Sequence, residues 1–326
     1  SMFTYENARY LFLDIVNVSW SLFRVMIPTI IIVKILTILG LVDLLAHTLA
    51  PLMMFLGLPA EAAIVLTTTM LTNPYAGLMV FATTPELQSL SVAQTTTMAS
   101  FMLVAHSLPV ECAIMRRAGL RLRVSVTLRV LMAFTMGFLV YQLSEIANLW
   151  TDLAIIQLPS IPQSSSLAGW VYDQFMGLIF IQIVIAVLLC LLALLRAVKI
   201  EHVIHQFMGP FLRMMNISNK ASHIAVIGVT LGVGFGGGIL IKEVDSQKID
   251  KKDVFGVLIF VGLLHSIFED TAVAMLIGPN LWVILFGRIF LAVLVTILLT
   301  QLCRQAPSWV WREHLTNRYA PELTIR

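Results

Sequence analysis

Two short stretches place a histidine, a serine and an acid together in apolar surroundings. The first reads Ala105-His106-Ser107-Leu108-Pro109-Val110-Glu111, the second Leu264-His265-Ser266-Ile267-Phe268-Glu269-Asp270-Thr271. Ionisable groups inside an apolar span cost several kcal/mol unless they face a partner or a wet cavity, which makes them functional candidates. Histidine titrates near neutral pH, so His106, Glu111, His265, Glu269 and Asp270 are candidates for ion coupling or a proton relay. On a regular helix His265 and Glu269 share a face at i,i+4. Pro109 lacks an N–H and frees the Ala105 carbonyl, so a kink is expected in the first motif. The structural alternative is that each histidine hydrogen-bonds a carboxylate and ties two helices together. His106, His265, Glu111 and Asp270 have donors suited to a divalent metal, but no sequence-local ligand spacing supports one, and metal stays unknown. Adjacent helical residues point about 100° apart, so Ser107 and Ser266 are poorly placed against their neighbouring histidines as nucleophiles. No enzyme activity is expected.

A second set of polar groups sits in two apolar segments, about 61–83 and 221–241, whose composition is wrong for an unbroken helix. The first carries Thr67-Thr68-Thr69 and Leu71-Thr72-Asn73-Pro74; the second carries Gly232, Gly234, Gly236, Gly237 and Gly238. Such segments survive at membrane depth only where protein or a polar cavity covers the freed backbone groups. Thr72, Asn73, Ser107, Ser266 and the backbone of Gly236, Gly237 and Gly238 are therefore the candidate solute-binding groups, with Pro74 at the tip of a hairpin. The bland alternative is that the threonines bond back within a helix and the glycines allow close packing.

The chain has 326 residues, 59% hydrophobic and 12% charged, with a net charge of +3 and a mean hydropathy of +0.91. So few polar side chains cannot cover a water-soluble globule, which excludes most soluble enzymes, disorder and nucleic-acid binding. The expected class is an all-α integral membrane protein. Six segments have about the 20 apolar residues a span needs: roughly 20–41, 93–115, 124–147, 174–196, 253–277 and 281–303. Cys112, Cys190 and Cys303 are odd in number and show no CxxC spacing, which argues against disulfides or a zinc knuckle. Ser1–Met2 reads as a cloning remnant, and no cleavable signal is expected.

The chain matches itself at an offset of 159 residues. His106-Ser107 falls on His265-Ser266, Glu111 on Asp270, Gly119 on Gly278 and Arg129 on Arg288. Basic residues cluster at Arg116, Arg117, Arg121 and Arg123, at Lys242, Lys248 and Lys251, and at Arg304, Arg312 and Arg318. Re-entrant hairpins at the broken segments would leave each repeat three spans, inverting the second repeat. All these loops and both termini then fall on the cytoplasmic side. The expected division is a first repeat over 1–150, an extracytoplasmic linker over 151–172, a second repeat over 173–304 and a cytoplasmic tail over 305–326. Lys34, inside the first span, is expected to pair with Asp43 or another carboxylate. Arg129 and Arg288 are expected to snorkel to the interfaces, with Asp270 as an alternative partner for Arg288. The stretches 42–57 and 201–216 read as interfacial helices bracing the hairpins.

Hairpin-like segments followed by a span with His-Ser and an acid resemble the "nucleoside recognition" or Gate domain. It occurs in concentrative nucleoside transporters, ferrous-iron permeases and the paired spore maturation membrane proteins, here in a fused form. The resemblance covers about 50–130 and 210–290 and rests on Leu71-Thr72-Asn73-Pro74, His106-Ser107-Leu108-Pro109-Val110-Glu111 and His265-Ser266-Ile267-Phe268-Glu269-Asp270. It implies solute and cation binding between hairpins and unwound helices, at Thr72, Asn73, His106, Ser107, Glu111, Gly236, His265, Ser266, Glu269 and Asp270. Together these readings predict a multi-pass secondary transporter of the inner (cytoplasmic) membrane. It would move a small polar or anionic solute, coupled to H⁺ or Na⁺, with no resident cofactor. Its partners are that solute and the lipid bilayer, with a homo-oligomer allowed and no nucleic acid. A non-transporting scaffold with structural His–carboxylate pairs is the alternative.

Overall fold

The computed structural model describes residues 5–162, 164–246, 249–318 and 320. Ser1–Met2, Gln163, Gln247, Lys248, Tyr319 and the last six residues of the expected tail lie outside that description. Among the described residues the chain is built from helices: α1 (Tyr5–Ile38), α2 (Leu41–Phe55), α3 (Ala62–Leu71), α4 (Pro74–Ala82), α5 (Val92–Val104), α6 (Leu108–Ala118), α7 (Leu122–Ala147), α8 (Leu167–Ala197), α9 (Ile200–Met214), α10 (Ser222–Ser246), α11 (Lys251–Leu263), α12 (Ile267–Ala274) and α13 (Arg288–Cys303). Among the described residues six stretches are long and apolar enough to cross a membrane: Glu6–Ile38, Val92–Ala118, Leu122–Ala147, Leu167–Ala197, Lys251–Ile277 and Val283–Cys303. Tyr10, Phe12, Trp20, Ile183 and Val187 on α1 and α8 are exposed. Apolar faces of this extent are stable against lipid and unstable against water.

The helix bounds recur along the chain. α2 and α9 (41–55 and 200–214), and α5 and α11 (92–104 and 251–263), start and stop at the offset that aligns the two histidines. Positive-φ residues recur in the same way: Gly40 and Lys199, Gly57 and Asn216, Ser107 and Ser266, Gly119 and Gly278.

Two compact units arise. One comprises the chain up to Met102, Gly137–Val198 and Ala272–Asn280; the other comprises Leu103–Met136, Lys199–Thr271 and the chain from Leu281. Within the first, α1 packs on α8, and α3 packs on α4 with α2 against α3. A Cβ on Gly77 of α4 would lie 1.9 Å from Thr69 Oγ1 of α3, so this hairpin needs glycine there. The turn forms at Thr72–Asn73. Asn73 is extended, its side chain accepts from Ala76 N at 2.9 Å, and Pro74 starts the next helix where its missing N–H costs nothing. Pro74 thus sits at the hairpin tip, as the sequence predicts.

In the second unit α10 is also a hairpin. Gly232 has φ 80° and ψ −179°, breaking the helix. His223 near its start and Glu243 near its end then meet at 3.0 Å. In a continuous helix those residues would be about 30 Å apart. α9 packs on α10, and α10 packs on α6 and α11. The basic segments come together here. Arg117 pairs with Asp245 at 3.3 Å, Arg121 Nε donates to Thr316 O at 2.7 Å, and Lys252 Nζ donates to Arg304 O at 3.0 Å.

Lys34 has no ion pair among the described residues, contrary to expectation. Its Nζ lies 5.7 Å from the centroid of the Trp170 ring. It lines a cavity of about 330 Å³ in the first unit with Thr37, Thr83, Ser164, Trp170 and Gln174. Polar lining and the aromatic face give the ammonium group what an acid would otherwise supply.

Candidate functional site

Both His-Ser motifs are broken rather than regularly helical. Ser107 and Ser266 adopt left-handed conformations, with φ 48° and 45°, between α5 and α6 and between α11 and α12. The break at Ser266 has no proline, so Pro109 is not what both motifs share. It also corrects the expected shared face of His265 and Glu269, because no regular turn connects them. Instead each break turns its histidine inward while the following short helix brings an acid back. Glu269 itself is buried beside Asp270.

The Gly232 break and the Ser266 break are built together. Ser266 N donates to Gly228 O at 3.2 Å, and Ser266 Oγ donates to Leu231 O at 3.2 Å. A Cβ at Gly232 would lie 1.8 Å from Ser266 Oγ. The serine hydroxyl therefore takes up a carbonyl freed by the broken helix, and only glycine leaves room for it.

His106 and His265 meet through Nε2 atoms at 2.9 Å, and both rings are buried at 2% and 1% exposure. His265 Nδ1 lies 2.9 Å from the Val261 carbonyl, which can only accept, so Nδ1 carries a hydrogen. Two ring nitrogens at hydrogen-bond distance require one proton between them. Two carboxylates close around that proton. Glu111 lies 3.3 Å from His106 Nε2 and 3.1 Å from His265 Nε2; Asp270 lies 3.4 Å and 3.9 Å from the same atoms.

Two arginines that the sequence assigns to the interfaces are buried in the site instead, at 0% and 1% exposure for Arg129 and Arg288. Here snorkelling loses to a set of local carbonyl and carboxylate acceptors. Arg129 Nε donates to Val104 O at 3.0 Å, Nη2 to His106 O at 2.9 Å and Nη1 to Glu111 Oε2 at 2.6 Å. Arg288 Nε donates to Leu263 O at 3.0 Å. Its Nη2 stays 3.7 Å from Asp270 Oδ2. The sequence signal for both was available: each arginine lies 18 residues beyond its motif's acid, at the shared offset.

The cluster of His106, Glu111, Arg129, His265, Asp270 and Arg288 lies within the second unit. His106, His265 and Asp270 offer three metal-ligand atoms within 4.8 Å of one another. Two buried guanidinium groups already balance Glu111 and Asp270, so a dication there would add uncompensated charge. A shared proton adds less. The solute candidates fall differently. Gly236 and Gly237 are buried and Gly238 is exposed, all three in the helical arm after the Gly232 break. A Cβ on Gly237 would lie 2.8 Å from Ile114 Cδ1, which gives this glycine a packing role. Thr72 and Asn73 belong to the first unit. There Thr72 Oγ1 bonds back to Thr68 O at 2.6 Å.

The chain is similar to the uncharacterized membrane protein YvoD of Bacillus subtilis (strain 168), with 25% identity over 299 residues, covering 90% of this chain and 95% of that protein. No family model matches the chain, and no solved structure matches it. The similarity agrees with the fold: this is a membrane protein with several transmembrane-like helices.

Proposed function

We propose that the protein is a secondary transporter of the inner (cytoplasmic) membrane, coupling movement of a small polar or anionic solute to H⁺. The buried Nε2–Nε2 contact between His106 and His265 carries this reading. It holds one proton between two rings, with a carboxylate at hand on either side to accept it. Two ring nitrogens at the centre of the cluster suit a proton better than the oxygen donors a hard cation prefers. No bond-making chemistry is assigned.

The inverted arrangement of two repeats is part of the proposal. The recurring helix bounds and positive-φ residues support a duplication. The bonds joining the 116–123 loop, the end of α10 and the C-terminal segment support one membrane side for all three. A parallel arrangement would put the first on the opposite side from the other two. Each hairpin then returns to the side on which it starts, as an odd number of full spans per inverted repeat requires. The scaffold alternative draws on the closed Arg129–Glu111 pair, which ties α6 to α7 whatever the protein carries.

The test is thermal stabilisation of the purified protein in detergent by nucleosides, organic anions, amino acids, Na⁺ and divalent metals at two pH values. A ligand should stabilise the wild type but neither H106A nor H265A, and its uptake into proteoliposomes should follow a proton gradient. Proton-driven uptake that persists in both variants would overturn the assignment.

A further inference from the structure

Arg288 has two terminal nitrogens, Nη1 and Nη2, that meet no hydrogen-bond acceptor among the described residues, although the side chain is 1% exposed. Buried guanidinium donors left unpaired are costly, and arginine matches planar two-oxygen anions through parallel N–H groups. Asp270 Oδ2, at 3.7 Å, likewise accepts no hydrogen bond among the described residues. The equivalent pair in the same unit, Arg129 and Glu111, closes to 2.6 Å. The two acids differ by one methylene. That shortfall holds Asp270 away from its arginine and leaves it 3.4 Å from His106 Nε2.

From this geometry we infer that Asp270 and Arg288 are an exchangeable pair: Asp270 takes the coupling proton, and Arg288 then binds the carboxylate of a small monocarboxylate solute. The inference rests on the transporter reading and names its substrate class. In the proton step, a proton from solution adds to His106 Nδ1, the Nε2–H bond breaks and an O–H bond forms on Asp270 Oδ2, so the ring passes from imidazolium back to neutral imidazole. The neutral carboxyl no longer attracts Arg288, and it can donate a hydrogen bond to the incoming carboxylate. One proton and one monoanion enter together, so the buried charge does not change. The other charged groups facing Asp270 are accounted for: Glu111 is held by Arg129, His265 shares the proton with His106, and Glu269 is its chain neighbour. α10 contributes no titratable side chain between His223 and Lys242.

The probe is sodium acetate, with acetamide and sodium sulfate as controls, and the readout is thermal stabilisation of the full-length protein in detergent between about pH 5 and 8. Acetate should stabilise the wild type increasingly as pH falls, its apparent affinity rising by up to about tenfold per pH unit where one proton is taken up with each anion. R288Q should lose the response. D270N mimics the protonated carboxyl, so it should bind acetate with no pH dependence. D270E should close onto Arg288 and suppress binding. If R288Q does not fold, the two Asp270 variants decide, because both retain Arg288. Equal stabilisation of wild type and R288Q overturns the site; so does acetate stabilisation of D270N that keeps the wild-type pH dependence. No acetate effect in wild type or D270N, with another solute stabilising through His106 and His265, overturns this inference and leaves the transporter reading standing. Failure of every ligand overturns both.

Discussion

The two arginines of the site stand in equivalent chain positions and end in different states. Arg129 spends Nε, Nη1 and Nη2 on two carbonyls and Glu111. Arg288 keeps the Nε bond to a carbonyl and leaves its terminal nitrogens short of Asp270. One pair is closed and therefore suited to hold helices; the other is open and therefore suited to exchange partners. Two copies of one motif can thus divide structural and functional work through a single methylene.

Breaking the closed pair should have the largest effect. Glu111→Ala leaves the Arg129 guanidinium buried without its acid, and a loss of about 3–5 kcal/mol is expected, read by denaturation in mixed micelles. Gly232→Ala comes next: positive φ and a Cβ 1.8 Å from Ser266 Oγ should together cost roughly 1–3 kcal/mol. In contrast Gly234→Ala, with nothing within 4 Å of the added Cβ, should be neutral or slightly stabilising in the same melts.

The open pair should give a smaller stability change and a larger functional one. Asp270→Asn should unfold within about 1 kcal/mol of wild type yet abolish proton-coupled uptake. If it instead destabilises as much as Glu111→Ala, the distinction between the pairs is gone. Exchanging the acids sharpens the test. Glu111→Asp should loosen the first pair and lower stability, while Asp270→Glu should tighten the second and raise it, both read by thermal unfolding. Smallest among the destabilising changes, Asn73→Ala removes the cap on α4 and should cost about 1 kcal/mol with no change in the pH response of the His106–His265 cluster.

Much of the scaffold is legible in the sequence. Low charge and long apolar runs give the membrane class and the six spans, because hydrocarbon admits little else at that length. The cap at Asn73 followed by Pro74 marks one hairpin turn through local chemistry alone. The glycine run marks the second hairpin without saying which glycine breaks it. Gly232 alone has both the positive φ and the close approach of Ser266, and that approach comes from a residue 34 positions away. The expectation for His265 and Glu269 failed for a related reason. Helical spacing assumes a continuous helix, whereas the left-handed Ser266 redirects the chain between them.

The sequence by itself determined which groups are too costly to bury idle: two histidines and their acids, each set followed at matched spacing by an arginine that local spacing sends to the interface. That follows from composition and the energetics of charge in an apolar medium, and it needs no coordinates. Only the tertiary structure decided which of these groups touch. Snorkelling or burial of an arginine, and closure or opening of its ion pair, depend on separations of about an ångström set by several helices at once, a scale on which local spacing carries no information.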